Sequence, residues 1–415
     1  MAPSLPPTSW GIGKKTANAY LYCMANVLIS LVGDQTVPNV FLIRDPAFRM
    51  VEEYVFVTTP LMEERSRLEH ILASTGVPRG KYRKVCVEAD NLTDIRERLN
   101  ELQLPTTGNH YFVNLTSGTK VMSIAMYDYF TQPGYADCCS IFYVPIGKNA
   151  YLQVYPEDQR REEAISYRIS LKEYLSGYGI RIEEQKGEGE LHRPPEYTSG
   201  LLFHFQKAMD SGRPFSQMMN SLRNNYRAVQ QKKEIKIPVN PELQAFLSLI
   251  RYPLPPDGCL NKAAAEYLIG GWLEEWAYNL VKERLGLPEE AIRYGVRVAR
   301  PNAVGHNVPN ECDLLFTFNN TLYIMECKTG LGFNASQLFA DSIYKLTALR
   351  NEFGQRVEAV LLTLTNLRKR NGQWKERFFN RAQMHRVALF DRQGLMEELE
   401  EWLGASPQEA ALKAR

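Results

Sequence analysis

Cysteine is scarce in this chain and arranged for neither disulfides nor zinc. The seven cysteines, at 23, 86, 138, 139, 259, 312 and 327, are odd in number, and no Cys-x-x-Cys spacing occurs. A disulfide scaffold and a zinc module are therefore excluded, and the expectation is reduced thiols in a cytoplasmic protein. Net charge is nearly absent too: 49 Lys and Arg against 47 Asp and Glu leave +2. That excludes a polycation that coats nucleic acid by bulk charge, so any nucleic-acid site must be local. No apolar run approaches the roughly 20 residues that span a bilayer, and Met-Ala-Pro-Ser-Leu-Pro-Pro at the start is no secretory signal. No membrane partner is expected. Neither a Gly-x-Gly-x-x-Gly fingerprint nor a Walker A loop is present, which argues against a hydride cofactor and a P-loop.

What is there is an ordinary globular composition, 44% hydrophobic and 23% charged, in 415 residues. That length predicts two or three domains. Residues 1–155 alternate strands and helices. Strands are expected at Val27–Val32, Tyr54–Thr58, Val85–Glu88, His110–Leu115 and Ser140–Val144, with helices at Leu61–Ser74, Leu92–Leu102 and Val121–Phe130. The alternation implies an α/β domain with a mostly parallel sheet. Residues 156–260, punctuated by Pro and Gly at both ends, read as a helical connector. From 261 to 415 a second α/β pattern runs: a long helix Ala263–Leu285, strands at Ile292–Val298, Asp313–Phe318 and Leu322–Lys328, a helix Ser336–Glu352 and a strand Val357–Thr363.

Two candidate sites stand on this frame. The first is Asn114-Leu-Thr-Ser-Gly-Thr-Lys120, where the fourth strand turns into a helix. Thr116 or Ser117 can cap that helix, Gly118 permits close backbone approach, and Thr119 and Lys120 add a hydroxyl and a cation. Amides at a helix N-terminus attract phosphate. Gly33-Asp34-Gln35-Thr36 after the first strand and Thr58 after the second emerge on the same sheet edge, where open α/β sheets bind ligands. The same segment reads equally well as an ordinary capped turn.

The second site is sharper. Asn310-Glu-Cys-Asp313 precedes Glu326-Cys-Lys328, and Asn319-Asn320 between them suits a two-residue hairpin turn, because Asn tolerates positive φ. With those two residues as the loop, Asp313 faces Glu326 and Glu311 faces Lys328, all four on one side of the hairpin, while Cys312 faces Cys327 on the other. Opposed carboxylates destabilise a ladder unless a cation intervenes, and Mg²⁺ or Mn²⁺ prefers such oxygen donors. Lys328 beside them can orient water and neutralise charge on a phosphate. A third carboxylate comes from the preceding helix. Its apolar stripe is Leu273, Trp276, Ala277, Leu280 and Val281, which puts Glu274 at the margin and Glu275 toward solvent, and the choice between the two stays open.

These residues carry a resemblance. Asp313 with Glu326-Cys-Lys328, behind the helix with Trp-Leu-Glu274, resembles the PD-(D/E)XK restriction-endonuclease-like fold, although Pro309 stands four residues before Asp313 and Cys312 fills the adjacent slot. The N-terminal alternation with Thr-Ser-Gly-Thr-Lys120 resembles a CARF domain, the Rossmann-like sensor of CRISPR defence. Together they resemble the CARF–PD-(D/E)XK effector nucleases of type III CRISPR systems. The resemblance implies a homodimer that binds a cyclic oligoadenylate, foremost the tetra-adenylate. Binding then switches on a nuclease that uses Mn²⁺ or Mg²⁺ to cut single-stranded RNA or DNA, or to nick DNA. It implies metal ligation by Asp313, Glu326, Glu274 and the Cys327 carbonyl, assistance to water attack from Lys328, phosphate binding by Thr116 to Lys120, and adenosine contacts from Gly33 to Thr36. The competing readings are a non-catalytic nucleotide-sensing regulator and a constitutive restriction-type DNA endonuclease.

For the substrate strand, Arg368 to Arg381 interleaves cations with Trp374, Phe378 and Phe379, which suits phosphate pairing with base stacking and equally a solvated loop over core aromatics. The basic stretch Arg223–Lys236 reads more simply as a solvated helix face, and His110, His306 and His385 as structural residues.

Overall fold

The computed structural model describes residues 25–210, 212–232, 234–301, 307–330 and 335–404. Cys23 and His306 lie outside them. The six described cysteines are free thiols, and both Cys312 and Cys327 are buried. Among the described residues no helix is long and apolar enough to cross a membrane.

The chain forms two compact units. In the first, strands β1 (Ala25–Leu31), β2 (Glu53–Thr58), β3 (Tyr82–Cys86), β4 (Asn109–Asn114) and β5 (Cys139–Tyr143) alternate with helices α1 (Val37–Arg44), α2 (Arg67–Thr75), α3 (Leu92–Glu101) and α4 (Lys120–Phe130). Strands β6 (Ala150–Tyr155) and β7 (Arg161–Ala164) and helix α5 (Leu171–Gly177) complete it. The sheet order is β3-β2-β1-β4-β5-β6-β7, parallel from β3 through β5 and antiparallel beyond. Alternation along β1 sends Val27, Ile29 and Leu31 to one face, where they pack with Ile95 and Leu99 of α3 and Met122 and Met126 of α4. Phe56 of β2 packs the other way, against Leu68 and Ile71 of α2. Burial on both faces explains why these strands read as short continuous apolar runs. The helix expected over Leu61–Ser74 is broken: Pro60–Glu64 and α2 are separate, and Ser66 between them has φ +53°.

The second unit carries the order expected from residue 261 onward, with additions. The strands of its main sheet are β8 (Arg181–Lys186), β9 (Ile292–Pro301), β10 (Asn307–Phe318), β11 (Thr321–Lys328), β12 (Val357–Thr363) and β13 (Val387–Phe390). They line up as β13-β12-β11-β10-β9-β8. Its helices are α6 (Pro195–Asp210), α7 (Arg213–Val229), α8 (Pro241–Leu249), α9 (Lys262–Glu266), α10 (Trp272–Leu285), α11 (Ala335–Glu352), α12 (Glu376–Met384) and α13 (Glu397–Gly404). Residues 156–260, read from the sequence as a connector, contribute to both units. Strand β7 belongs to the first sheet, β8 to the second, and α6, α7 and α8 bury Leu202, Phe205, Leu222 and Phe246 in the second unit's core. The single long helix expected over Ala263–Leu285 is interrupted by a π-helical turn at Tyr267–Gly271, directly ahead of the helix that carries Glu274. Such turns insert a residue into the helical ladder and are common beside functional side chains.

Candidate active site

In the first unit, β1 and β4 are neighbours whose onward connections leave in opposite directions, so the sheet reverses its winding between them. The loops after these two strands meet at that crevice, the usual ligand position of a doubly wound sheet. Their fit is tight. A Cβ on Gly33 would lie 1.6 Å from the Ser117 carbonyl oxygen, and one on Gly118 would lie 2.5 Å from Leu31 Cδ1. Ser117 Oγ donates to the Gln35 carbonyl at 2.6 Å. The cap of α4 is Thr119, whose hydroxyl accepts from Met122 N and donates to the Ala89 carbonyl. This corrects the expectation that Thr116 or Ser117 caps it, because Thr116 is engaged by the Asn114 side chain and by Val144 N. Lys120 is exposed at the first turn of α4 and makes no ion pair among the described residues.

The remaining residues of this edge are held more firmly. Asp34 is clamped by Arg65 and Arg67, whose guanidiniums outweigh partial burial and hold its carboxyl below the ordinary range. Gln35 Oε1 accepts from the Tyr178 hydroxyl at 2.9 Å and from Gln355 N at 3.0 Å, and Thr36 Oγ1 donates to the Gly177 carbonyl. The Gln35 side-chain oxygen and the Thr36 hydroxyl are therefore engaged within the unit. Thr58 is buried at the end of β2, and its hydroxyl has no hydrogen-bond partner among the described residues.

In the second unit, Asn319 and Asn320 turn the β10–β11 hairpin with φ of +47° and +60°. The pairing runs from Phe318↔Thr321 to Leu314↔Met325. One step further along that register, Asp313 stands against Glu326. Both side chains are buried. Asp313 Oδ2 accepts from Cys327 N at 2.7 Å, so the aspartate is locked to the strand that bears its partner. Lys328 Nζ lies 2.6 Å from Glu326 Oε1 and 3.3 Å from Asp313 Oδ2. Lys345 of α11, which the sequence did not single out, places Nζ 2.7 Å from Glu326 Oε2. Its position beside the buried residues Ser342, Ile343 and Leu346 is the one sequence signal that could have found it.

The electrostatics show a site short of positive charge. Burial, and then the Glu326 carboxylate, push the Asp313 carboxyl up to about 6. Burial, and then Asp313, raise Glu274 well above the ordinary carboxyl range. Burial alone would lower the Lys328 ammonium, yet Asp313 and Glu326 hold it well above its usual value, so it is a fixed cation. Among the described residues no three His, Cys, Asp or Glu side chains converge as ligands. The donor chemistry still fits Mg²⁺ or Mn²⁺, since such ions are commonly held by one or two carboxylates with water and substrate phosphate completing the shell. The Cys327 thiol is buried and kept protonated by that burial, so only its backbone carbonyl is a plausible donor.

Glu274 lines the cleft beside the hairpin, whereas Glu275 is fully buried. Glu275 accepts from His192 N at 2.8 Å and meets His192 Nδ1 at 2.7 Å. This corrects the solvated placement of Glu275: the segment before α6 folds over that face of α10 and supplies the donors. The cleft has a volume of about 520 Å³ and is also lined by Glu326, Lys328, Lys345, Arg223 and Arg227. The expectation for Arg223 is corrected here, since it is no solvated flank. In the Arg368–Arg381 segment, Arg368 and Phe378 have structural places, while Lys369, Arg370 and Arg377 are exposed. Arg368 pairs with Asp391 and Glu398 and covers the Trp374 ring, and Phe378 is buried.

Comparison with known proteins agrees with this division. A family model described as the Card1 CARF domain matches residues 27–174, and one described as the Card1-like endonuclease domain matches 261–405. No curated protein matches the sequence. Among solved structures, Can2 from Sulfobacillus thermosulfidooxidans in complex with cyclic tetra-adenylate is similar at a TM-score of 0.69 and 20% identity, over 91% of this chain and 99% of its own. Protein VC1899 from Vibrio cholerae gives 0.71 and 20%, over 94% and 98%. A type III CRISPR defence DNA nuclease activated by cyclic oligoadenylate gives 0.52 and 18%, over 92% of this chain and 52% of its own.

Proposed function

The chain belongs to the Card1-like family, which joins a CARF domain to an endonuclease domain, and from that premise we propose that it is a cyclic-tetra-adenylate-activated, metal-dependent endonuclease of type III CRISPR defence. The observation that carries the catalytic half is the buried Asp313–Glu326 pair bridged by Lys328, with Glu326 and Lys328 lining an open cleft. A divalent cation held by Asp313 and Glu326, with the Cys327 carbonyl as a further donor, would supply Lewis-acid charge to the scissile phosphate.

The protein's own groups do the rest. Lys328, fixed as a cation, orients the attacking water and neutralises charge growing on the phosphoryl oxygens. Glu274, whose carboxyl is raised by burial and by Asp313, lines the same cleft and is placed to take the proton that water gives up. Lys345 holds Glu326 from the far side. In the first unit, the interlocked Gly33 and Ser117–Lys120 loops present backbone amides and Lys120 to the ligand's phosphates. The active form in this reading is a cytoplasmic homodimer with the cyclic nucleotide held by both CARF domains, and the substrate is single-stranded RNA or DNA.

The test is a cleavage assay with Mn²⁺, with and without cyclic tetra-adenylate, on single-stranded RNA, single-stranded DNA and duplex. Cutting is expected only with the cyclic nucleotide present. Cutting that ignores it would remove the activation claim, and cutting that survives Glu326→Ala would remove the assigned site.

A further inference from the structure

We propose that helix α7 carries the binding site for the substrate's backbone phosphates next to the scissile bond, built on Arg223 and Arg227. This deepens the nuclease reading and rests on it for the identity of the ligand as a nucleic-acid strand. Arg223, Tyr226, Arg227 and Gln230 follow one another at i, i+3, i+4 and i+7, the spacing of a single helical face, and all four line the cleft that holds Glu274, Glu326 and Lys328. The neighbouring face of α7 is anchored by Met218, Met219 and Leu222 in the unit's core, so the stripe is fixed against the site.

The state of Arg223 points to a missing anion. Its Nη2 donates to Thr329 Oγ1 at 3.0 Å and its Nη1 to Asn220 Oδ1 at 3.2 Å. Both partners are neutral, and Thr329 directly follows Lys328. A guanidinium has five N–H donors, so most of its capacity is unused by the described residues. Neither Arg223 nor Arg227 forms an ion pair among them. Burial and then the Arg227 charge both disfavour the Arg223 cation. A desolvated cation without a counter-charge, beside a second cation, is costly unless an anion visits it. At the catalytic end of the cleft Glu274, Glu326 and Asp341 share the wall with Lys328 and Lys345, and both lysines are already paired with Glu326. A polyanionic strand therefore needs cations to bring it there, and a fork-shaped guanidinium suits a phosphate. Tyr226 donates its hydroxyl to the Glu266 carboxylate, which ties the stripe to α9.

The experiment measures binding of single-stranded 20-mers of RNA and DNA by fluorescence anisotropy. It uses full-length protein in a Glu326→Gln background, with Mn²⁺ and cyclic tetra-adenylate, over a salt series. Arg223→Ala and Arg227→Ala are each expected to weaken binding about tenfold, alike for every base sequence, and to lower the salt slope by about 0.7. Arg223→Lys should keep the slope. Unmoved affinity and slope would overturn the proposal, and so would weaker binding at an unchanged slope, since a structural role does not alter counterion release. Arg227 is exposed, so its variant keeps the test valid if Arg223→Ala fails to fold. Failure of the nuclease reading shows separately, as absence of cutting by the unmutated protein.

Discussion

Asp313 is the residue at which stability and function conflict most directly. Burial, and then the opposed Glu326 carboxylate, push its carboxyl up to about 6. A carboxyl raised in the folded state contributes stability below its unfolded pKa, and that contribution is lost as pH rises through the folded value. For Asp313 the loss falls between about pH 4 and 6, so at neutral pH the metal-free protein carries the strain. Asp313→Asn keeps an oxygen for Cys327 N and removes the charge conflict. The expected outcome is a melting temperature raised by about 2 to 6 °C in chelator, with cleavage abolished. A melting temperature at or below that of the unmutated protein would show that the Lys328 and Lys345 contacts already offset the burial. Glu326→Ala should act the other way, because it strips two ammonium groups of their nearest carboxylate.

At the scale of elements, the ligand crevice depends on two glycines with unequal tolerance. The hypothetical Cβ of Gly33 runs into backbone, the Ser117 carbonyl, whereas that of Gly118 meets only the Leu31 side chain, which can rotate. Gly33→Ala is therefore expected to destabilise by about 1–3 kcal/mol and to impair cyclic tetra-adenylate binding. Gly118→Ala should do less on both counts. Thermal melts and titration calorimetry on the pair decide this, and equal effects would contradict the difference in contacts. The same glycines show what a sequence discloses. Gly118 and Gly33 both stood out as residues after strands on one sheet edge, but the close approach of Gly33 to the Ser117 carbonyl became visible only in the fold. The turn and register of the β10–β11 hairpin were legible, since the Asn-Asn turn fixes register and register sets Asp313 against Glu326, although β10 begins at Asn307, before the expected Asp313. Strand β12 was legible from its apolar run Ala359–Leu362. Strand β8, Arg-Ile-Glu-Glu-Gln-Lys, was not, because a charged, exposed edge strand carries no apolar alternation. Glu275 misled for a related reason: helical spacing describes one helix, and the cover supplied by His192 comes from elsewhere in the chain.

For the molecule as a whole, a net charge of +2 means that bulk repulsion does not dictate the response to pH, which leaves it to individual buried groups. The two units hold groups of opposite sign. In the first, burial lowers His110 to about 4 beneath Phe112 and Ser140, and burial, then Arg67, lowers His70. A histidine depressed in the folded state must be protonated on unfolding, so stability is lost as pH falls from about 6.5 toward 4, by roughly 3 kcal/mol for His110. In the second unit, Asp313 is raised to about 6, and stability is gained as pH falls through that value; burial, then Asp313, also raise Glu274, which acts in the same direction. Against its burial, hydrogen bonds from Tyr278 and Lys282 lower Glu289 from 4.5 to about 2, so the stability it contributes is lost as pH falls from 4.5 toward 2, below a comparison made at pH 5.5. Two units with separate cores need not unfold as one. Calorimetric scans of the metal-free protein at pH 7.5 and pH 5.5 should therefore show one transition moving down in temperature and the other up. His110→Gln should flatten the first shift alone, and Asp313→Asn the second alone. Two transitions that move together, indifferent to both substitutions, would mean that neither buried group governs its unit.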